Sequence, residues 1–203
     1  MPRTLLIATS NPGKIDELGE MLRHVPVQLA GLHDLTNVVE VPETGSSFAE
    51  NARLKATGYA EQAGLHALAD DSGLEVAALA GRPGIHSARY GGDDLSFADK
   101  IQKLLREVSE TGSTDRRARF VCAIAFADPY GCVLGVSEGV CTGTLATGPR
   151  GDGGFGYDPI FIPDGQNETF AELPAHIKAQ ISHRARAFSQ IMPILRQFYG
   201  LSA

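Results

Sequence analysis

The opening quarter of the chain alternates between apolar and polar positions in a way that predicts a strand, a turn and a helix. Thr4–Thr9 is a short apolar run that favours a β-strand, and the segment IDELGEMLRHV repeats apolar residues at helical spacing. The intervening SNPGK supplies the turn, in which Ser10 or Asn11 can cap the helix and Pro12 suits its first turn.

The next segments predict two more strands around a second helix. Val38–Val41 is a short apolar run that ends at PETG, and it predicts a strand. A helix is expected to begin near Ser47, because Glu50 stands at capping-box spacing, and to end at Gly64. Leu65–Asp70 predicts a third strand, which ends at an acidic pair.

The second half of the chain predicts a long hairpin between two helices. Asp94 can cap a helix over Leu95–Ser109. Phe120–Phe126 is apolar on both faces, which favours a central strand, and Asp128–Gly131 is typical of the turn that follows it. A Gly-rich loop then leads to a short strand, and a last helix is expected over Ser182–Tyr199. This mixture of elements predicts an α/β or α+β fold with a mixed sheet.

Composition and charge narrow the function classes. The chain has 203 residues and a formal net charge of -6, which argues against a general nucleic-acid binder but allows a phosphorylated small molecule in a local basic pocket. Cys122, Cys132 and Cys141 show no CxxC spacing and are interpreted as reduced thiols of a cytosolic protein. The N-terminal apolar run is too short for a signal peptide or a membrane span.

Two motifs in the first third of the chain could bind anions. TSNPGK places Lys14 in the first turn of a helix, whose free backbone N–H groups and positive dipole end favour phosphate. In PETGSSFAENARLKA, Glu43 follows a predicted strand, and Asn51 and Lys55 share a helix face because they are four residues apart. Each motif alone is more typical of a capped or solvated helix than of an anion site.

The acidic pair interrupts an apolar stretch. Asp70 and Asp71 stand in ALADDSGLEVAAL, and two carboxylates in such surroundings cost folding energy unless a cation lies beside them. Mg²⁺ is one candidate, since it prefers carboxylates together with waters and substrate phosphates. The alternative is an ordinary turn or helix cap, for which DDSG is also suitable.

Two further motifs could contact a planar ligand. In GGFGYDPIF, glycines around two aromatic residues allow the backbone to approach a ligand closely while a ring stacks on it. In KAQISHRARA, Lys178, His183 and Arg184 supply several donors near a helix start. The structural alternatives are core-filling aromatics and a basic, solvated helix entrance.

Taken together, the motifs resemble one family. TSNPGK, ETGSSFAENARLKA, ADDSGLEV, PGIHSARY, GFGYDPIF and SHRARA stand in the order and spacing of the inosine triphosphate pyrophosphatase family, also called the Ham1-like proteins. The match spans nearly the whole chain, and GFGYDPIF together with SHR is highly specific, whereas Asp93–Arg117 contributes little. One departure is His176 and Ile177 before Lys178, where the family has more acidic residues.

The resemblance implies a fold and an activity. The implied fold is α/β and elongated, with a mixed central β-sheet flanked by helices and two lobes of a single domain, residues 1–203, around an active-site cleft. The implied protein is a cytoplasmic homodimer that uses Mg²⁺ and binds neither nucleic acid nor membranes. The implied activity is a house-cleaning one: ITP, dITP and XTP are hydrolysed to the monophosphate and pyrophosphate, which keeps deaminated purines out of DNA and RNA.

The resemblance also implies roles for individual residues. Asp71 matches the catalytic proton acceptor, and Glu43 and Asp71 match the Mg²⁺ ligands. Substrate binding is implied for Thr9, Ser10, Asn11, Pro12, Gly13, Lys14, Lys55, Ser72, Phe155, Gly156, Tyr157, Asp158, Lys178, His183 and Arg184. Whether Asp71 abstracts the proton or only orients the water stays open, as does the role of Asp70.

Chemistry suggests how the base would be read. Hypoxanthine and xanthine carry a 6-oxo acceptor, so donors such as Arg184 and His183 would favour them over adenine. Two other functions remain possible on the sequence alone: a nucleotide hydrolase with a different base preference, and a nucleotide-binding regulatory module without turnover. Glu43 and Asp71 favour turnover, because a mere binder needs no carboxylates beside its phosphate-binding lysines.

Overall fold

The structure is a computed structural model that describes residues 3–200. Its strands are β1 (Thr4–Ile7), β2 (Gln28–Gly31), β3 (His66–Val76), β4 (Arg117–Ala127), β5 (Val133–Leu145) and β6 (Phe161–Pro163). Its α-helices are α1 (Pro12–Leu22), α2 (Phe48–Ala63), α3 (Phe97–Glu110), α4 (Ala175–Ile181) and α5 (His183–Tyr199). No helix within residues 3–200 combines the length and the apolar character needed to cross a membrane.

The six strands form one mixed sheet in the order β2-β1-β3-β4-β5-β6. β1 runs parallel to both of its neighbours, with Leu6 opposite Ala30 on one side and opposite Ala67 on the other. β5 and β6 are antiparallel. Parallel and antiparallel pairs in one sheet with flanking helices confirm the α/β class predicted from the sequence.

The chain divides into two compact units, each with its own core. The first unit comprises the chain up to Asp71, Cys122–Gly139 and the chain from Arg184 onward. Its core packs α1 and α5 residues against β1, β3 and β4. The second unit comprises Ser72–Val121 and Val140–His183. Its core includes a cluster of the Phe120, Phe161 and Phe170 rings.

The prediction of a strand over Val38–Val41 was wrong. That segment has no regular structure, and β2 forms earlier, at Gln28–Gly31. The physical reason is visible at Val39, whose backbone N–H and C=O bond the side-chain amide of Gln62 at 2.8 and 3.1 Å. A side chain of α2 thus satisfies the polar groups that a neighbouring strand would otherwise have paired, and Val39 stays exposed.

The predicted end of the third strand was also wrong. β3 does not stop at the acidic pair but continues through Asp70 and Asp71 to Val76. The two carboxylates remain in extended backbone because cations from other elements compensate them, as described below. They lie just beyond the end of the parallel partner β1, whose last paired residue is Ile7 opposite Leu68.

Helix ends follow local side-chain chemistry with two corrections. Ser47 caps α2, and Gly64 ends it in the left-handed conformation, as predicted. Ser96, not Asp94, caps α3, because its hydroxyl lies in position to accept from the N–H of Asp99. The short helix α4 was not predicted; it precedes α5, which begins at His183.

Candidate active site

The turn between β1 and α1 places Lys14 at a helix N-terminus. Asn11 caps α1, because its side-chain oxygen accepts a hydrogen bond from the Lys14 N–H at 3.2 Å. Pro12 follows at the first helical position, which fixes the backbone there. The segment Thr9–Lys14 therefore has the geometry expected of an anion-binding turn, with the positive end of the α1 dipole beside the lysine.

Lys55 joins two carboxylates of the same unit. Its ammonium lies 2.7 Å from Glu43 Oε1 and 2.9 Å from Asp71 Oδ1, although Lys55 is on α2 and Asp71 on β3. Asn51, one turn before Lys55 on α2, is fully buried and accepts from the Gly45 N–H at 2.8 Å. Asn51 thus fixes the loop from which Glu43 reaches the lysine.

The charge states of this group follow from burial and pairing. Burial alone would lower the pKa of Lys55, but Asp71 and Glu43 raise that pKa above its ordinary value. Burial raises the pKa of Asp71, and the nearby Lys55 and Lys14 oppose that rise only in part. Asp71 Oδ1 receives Lys55, whereas Asp71 Oδ2 is buried and accepts no hydrogen bond from residues 3–200. One oxygen of this carboxylate is therefore held and the other is open.

Asp70 has a different set of partners from its neighbour. It is fully buried, and its carboxylate lies 2.5 Å from Lys14 Nζ and 2.9 Å from Arg184 Nε. The thiol of Cys122 donates to Asp70 Oδ2 at 2.8 Å. Arg184 is also fully buried and forms a second ion pair with Glu17, one turn after Lys14 on α1. Two cations and two carboxylates thus alternate in one cluster, in which Asp70 and Arg184 are fully buried and Lys14 and Glu17 partly so.

This cluster keeps Asp70 ionised. Burial by itself would raise the pKa of Asp70, but the Arg184 guanidinium and the Lys14 ammonium hold that pKa well below its usual value. Burial raises the pKa of the Cys122 thiol, and the adjacent carboxylate raises it further. Cys122 is therefore a neutral donor to Asp70 and not a thiolate nucleophile.

A second group of predicted residues lies in the second unit. Lys178 of α4 lies 2.5 Å from Asp158 Oδ2, and both side chains are buried. The same oxygen accepts from the Phe155 N–H at 2.8 Å, so Asp158 fixes the Gly-rich loop as well as the lysine. The Lys178 ammonium also lies 4.8 Å from the centroid of the Phe155 ring, a cation–π contact. Gly154 has a left-handed φ of 67° and closely approaches Asp158, so a side chain would not fit there.

Aromatic packing orients the remaining residues of this group. The His183 imidazole stacks on Phe120 of β4 with ring centroids 4.6 Å apart and an angle of 11° between the planes. Tyr157 is buried in the core of the unit, and its hydroxyl donates to the Ser87 carbonyl at 3.0 Å. For Tyr157 the core-filling interpretation of the Gly-rich loop is therefore the one that the structure favours, whereas Phe155 and Gly156 are half-buried.

The predicted site residues divide between the two units. Thr9–Lys14, Glu43, Lys55, Asp71 and Arg184 belong to the first unit, and Ser72, Phe155–Asp158, Lys178 and His183 to the second. Sequence reasoning missed Glu17, Cys122 and Phe120. Only Glu17 carried a usable signal, because it stands three positions after Lys14 on a predicted helix and so shares a helix face with it. Within residues 3–200, no three or more His, Cys, Asp or Glu side chains gather as a metal cage.

Comparison with known proteins gives consistent results. The model of the Ham1 family matches residues 5–194. A dITP/XTP pyrophosphatase from Syntrophobacter fumaroxidans is 51% identical, and the match covers 92% of this chain and 79% of that protein. A dITP/XTP pyrophosphatase from Geobacillus kaustophilus is 47% identical, and the match covers 93% of this chain and 92% of that protein. A solved HAM1 protein from Coxiella burnetii superposes with a TM-score of 0.87 at 40% identity, covering 96% of this chain and 99% of the other. This chain is a member of the Ham1 family.

Proposed function

We propose that this protein is a nucleoside triphosphate pyrophosphatase that hydrolyses dITP, XTP and ITP to the monophosphate and pyrophosphate. The observation that carries the proposal is the Asp71 carboxylate. One of its oxygens is fixed by Lys55, and the other is buried and open within the described chain. The carboxylate is thus fixed in place beside the lysines proposed to bind phosphate, and its open oxygen is suited to receive a proton from water. The names of the relatives, which are dITP/XTP pyrophosphatases, support dITP and XTP as substrates.

The formal charges of the first unit's group favour a divalent cation with the substrate. Among the seven side chains joined by these ion pairs, four are carboxylates (Glu17, Glu43, Asp70 and Asp71) and three are cations (Lys14, Lys55 and Arg184). A triphosphate would be repelled unless positive charge came with it.

The residues present fit Mg²⁺. Glu43 and Asp71 converge on the Lys55 ammonium, so two carboxylates lie close together, and Mg²⁺ typically takes one or two carboxylates plus waters and phosphates. Glu43 and Asp71 would hold the ion, which when bound supplies charge neutralisation at the phosphates.

The chain's own residues define the proposed reaction. Lys14, beside the α1 N-terminus, and Lys55 neutralise phosphate oxygens and stabilise the charge that develops at the α-phosphorus. Asp71 accepts a proton from a water whose oxygen attacks that phosphorus. A bond forms between the water oxygen and the α-phosphorus. The bond between the α-phosphorus and the oxygen that bridges it to the β-phosphorus breaks, and pyrophosphate departs with that oxygen. Burial raises the pKa of Asp71, so this carboxylate is a stronger base than an ordinary aspartate.

Within the second unit, hydrogen-bond donors and an aromatic ring lie together in a way that suits a purine base. Lys178 and His183 can donate to a 6-oxo group, and Phe155 presents a half-buried ring for stacking. Adenine has a 6-amino donor and would leave those donors unpaired, at a cost of about 1–3 kcal/mol each. Arg184 is already held by Asp70 and Glu17 in the first unit, so its proposed contact with substrate requires at least one of those carboxylates to share it.

The experiment is a substrate panel with separate detection of pyrophosphate and orthophosphate. ITP, dITP, XTP, GTP, ATP and dUTP are incubated with the protein and Mg²⁺. The expected products are the monophosphate and pyrophosphate, with the three deaminated purine nucleotides favoured. Direct release of orthophosphate with a diphosphate product would contradict attack at the α-phosphorus. Intact, bound nucleotide after incubation would instead indicate a binding module.

Three finer properties are part of the same proposal. Mg²⁺ dependence is tested by titrating Mg²⁺ into metal-stripped protein and following pyrophosphate release. A homodimer, which the sequence resemblance implies, is tested by sedimentation analysis across protein concentration. A cytoplasmic location is tested by fractionating cells that express the protein.

A further inference from the structure

Asp70 and Asp71 are identical neighbours, but they face different partners because side chains alternate along a strand. Asp71 pairs with Lys55 and keeps one oxygen open, whereas both oxygens of Asp70 have donors. Asp70 is fully buried. It therefore has no open oxygen with which to take a proton from water.

The contacts of Lys14 depend on Asp70 to an unusual degree. Within residues 3–200, both polar contacts of the Lys14 ammonium go to Asp70: 2.5 Å to the carboxylate and 3.4 Å to the backbone carbonyl. The lysine side chain is 13% exposed, so it has little freedom to find another partner nearby. Arg184 differs, because Glu17 holds it in addition to Asp70.

We propose that Asp70 is a positioning residue that fixes the ammonium of Lys14 for the triphosphate. This inference rests on the proposed function, since it takes Lys14 as a phosphate-binding group. Arg184 and the Cys122 thiol complete the surroundings of the carboxylate, so that a charge can persist in a fully buried place. A long lysine side chain loses considerable rotamer freedom when it binds an anion, and Asp70 removes that freedom before substrate arrives.

The test is a double-mutant cycle between Asp70 and Lys14, with kcat and KM measured separately for dITP. Asp70→Asn keeps the size of the side chain but removes its charge. In the wild-type background, we expect it to lower kcat/KM by about tenfold to a hundredfold, mainly through KM. In the Lys14→Met background, the same change should lower kcat/KM by less than about threefold, because the residue through which Asp70 acts is gone.

Glu17→Gln is the matched control. Glu17 belongs to the same cluster and pairs with Arg184, whereas both polar contacts of the Lys14 ammonium within residues 3–200 go to Asp70. Its effect on kcat/KM should therefore be the same, within about twofold, in the wild-type and the Lys14→Met backgrounds.

The test can still be carried out if the single variant Asp70→Asn does not fold. If Asp70→Asn alone fails to fold, Lys14→Met is compared with Lys14→Met/Asp70→Asn, which removes one positive and one negative charge together and keeps Arg184 paired with Glu17. Equal kcat/KM for those two variants supports the proposal.

Two results overturn it: the same fold-loss from Asp70→Asn in both backgrounds, or an unchanged KM in folded Asp70→Asn protein. Absence of pyrophosphate release by the wild-type protein would instead contradict the proposed function, so the two failures are distinguishable.

Discussion

The ammonium of Lys178 lies 2.5 Å from Asp158 Oδ2, and both side chains are buried in the second unit. The pair fixes a donor beside the half-buried ring of Phe155, and the carboxylate that holds the lysine also holds the Phe155 N–H. A charged hydrogen-bond donor is therefore set at a defined position next to a stacking surface. In the proposed function this donor faces the 6-oxo group of the base.

Replacing Lys178 is expected to reduce discrimination between dITP and dATP. Lys178→Met removes the charged donor and keeps much of the side-chain length, so kcat/KM for dITP should fall by about tenfold to a hundredfold. The value for dATP should fall less, because a lysine cannot accept from a 6-amino group. Steady-state kinetics on both nucleotides test this. Lys103→Met, a lysine of the same unit that pairs with Glu107, is the control and should leave the ratio unchanged.

Replacing Asp71 is expected to affect turnover far more than stability. Asp71→Asn keeps one acceptor oxygen but cannot take a proton, so kcat should fall by at least about a hundredfold. The melting temperature should change little compared with that loss. Asp16→Asn, an exposed aspartate of α1, is the control. Near-normal turnover of folded Asp71→Asn protein would show that Asp71 is not the base.

Replacing Arg184 is expected to destabilise the first unit. Arg184 is fully buried between Asp70 and Glu17, so Arg184→Ala leaves a buried carboxylate short of a partner. Removal of one member of a buried ion pair costs about 3–5 kcal/mol of unfolding free energy.

Denaturant unfolding measures that cost. Glu17→Gln, which leaves Arg184 paired with Asp70, should cost clearly less. Kinetics of the folded fraction then test base reading: a larger loss for ITP than for ATP supports it, and a parallel loss across nucleotides contradicts it.

Glu107 is expected to make the protein sensitive to acid. Hydrogen bonds from Lys103 and from the Tyr90 hydroxyl hold the pKa of Glu107 at about 2, below its ordinary 4.5. A folded-state pKa below the unfolded one gives stability that is present above pH 4.5 and is lost as the pH falls towards 2.

The measurement is the free energy of unfolding at several pH values for the wild type and Glu107→Gln. At pH 7 the variant should be the less stable of the two. The difference should shrink between about pH 4.5 and pH 2. A difference that stays constant over that window would contradict the assignment.

Local features of this chain were determined by the sequence alone. The cap of α1 was predicted at Ser10 or Asn11 and lies at Asn11, and Pro12 in its first turn, the Ser47 cap and the Gly64 end of α2 were predicted correctly. So was the turn after β4, where Asp128 accepts from the N–H groups of Tyr130 and Cys132. These features depend on hydrogen bonds between residues two to four positions apart, so the spacing of a few residue types is enough to specify them.

The tertiary structure decided what depends on distant partners. Val38–Val41 has the apolar pattern of a strand, but the Gln62 side chain satisfies the backbone of Val39 instead. Asp70 and Asp71 are chemically identical in the sequence, and only the family resemblance singled out Asp71; the chemistry of the two residues could not show which cations each one meets. Lys14 and Arg184 approach Asp70 and Lys55 approaches Asp71 from segments far apart in the chain, and opposite directions of adjacent side chains on β3 make that division possible.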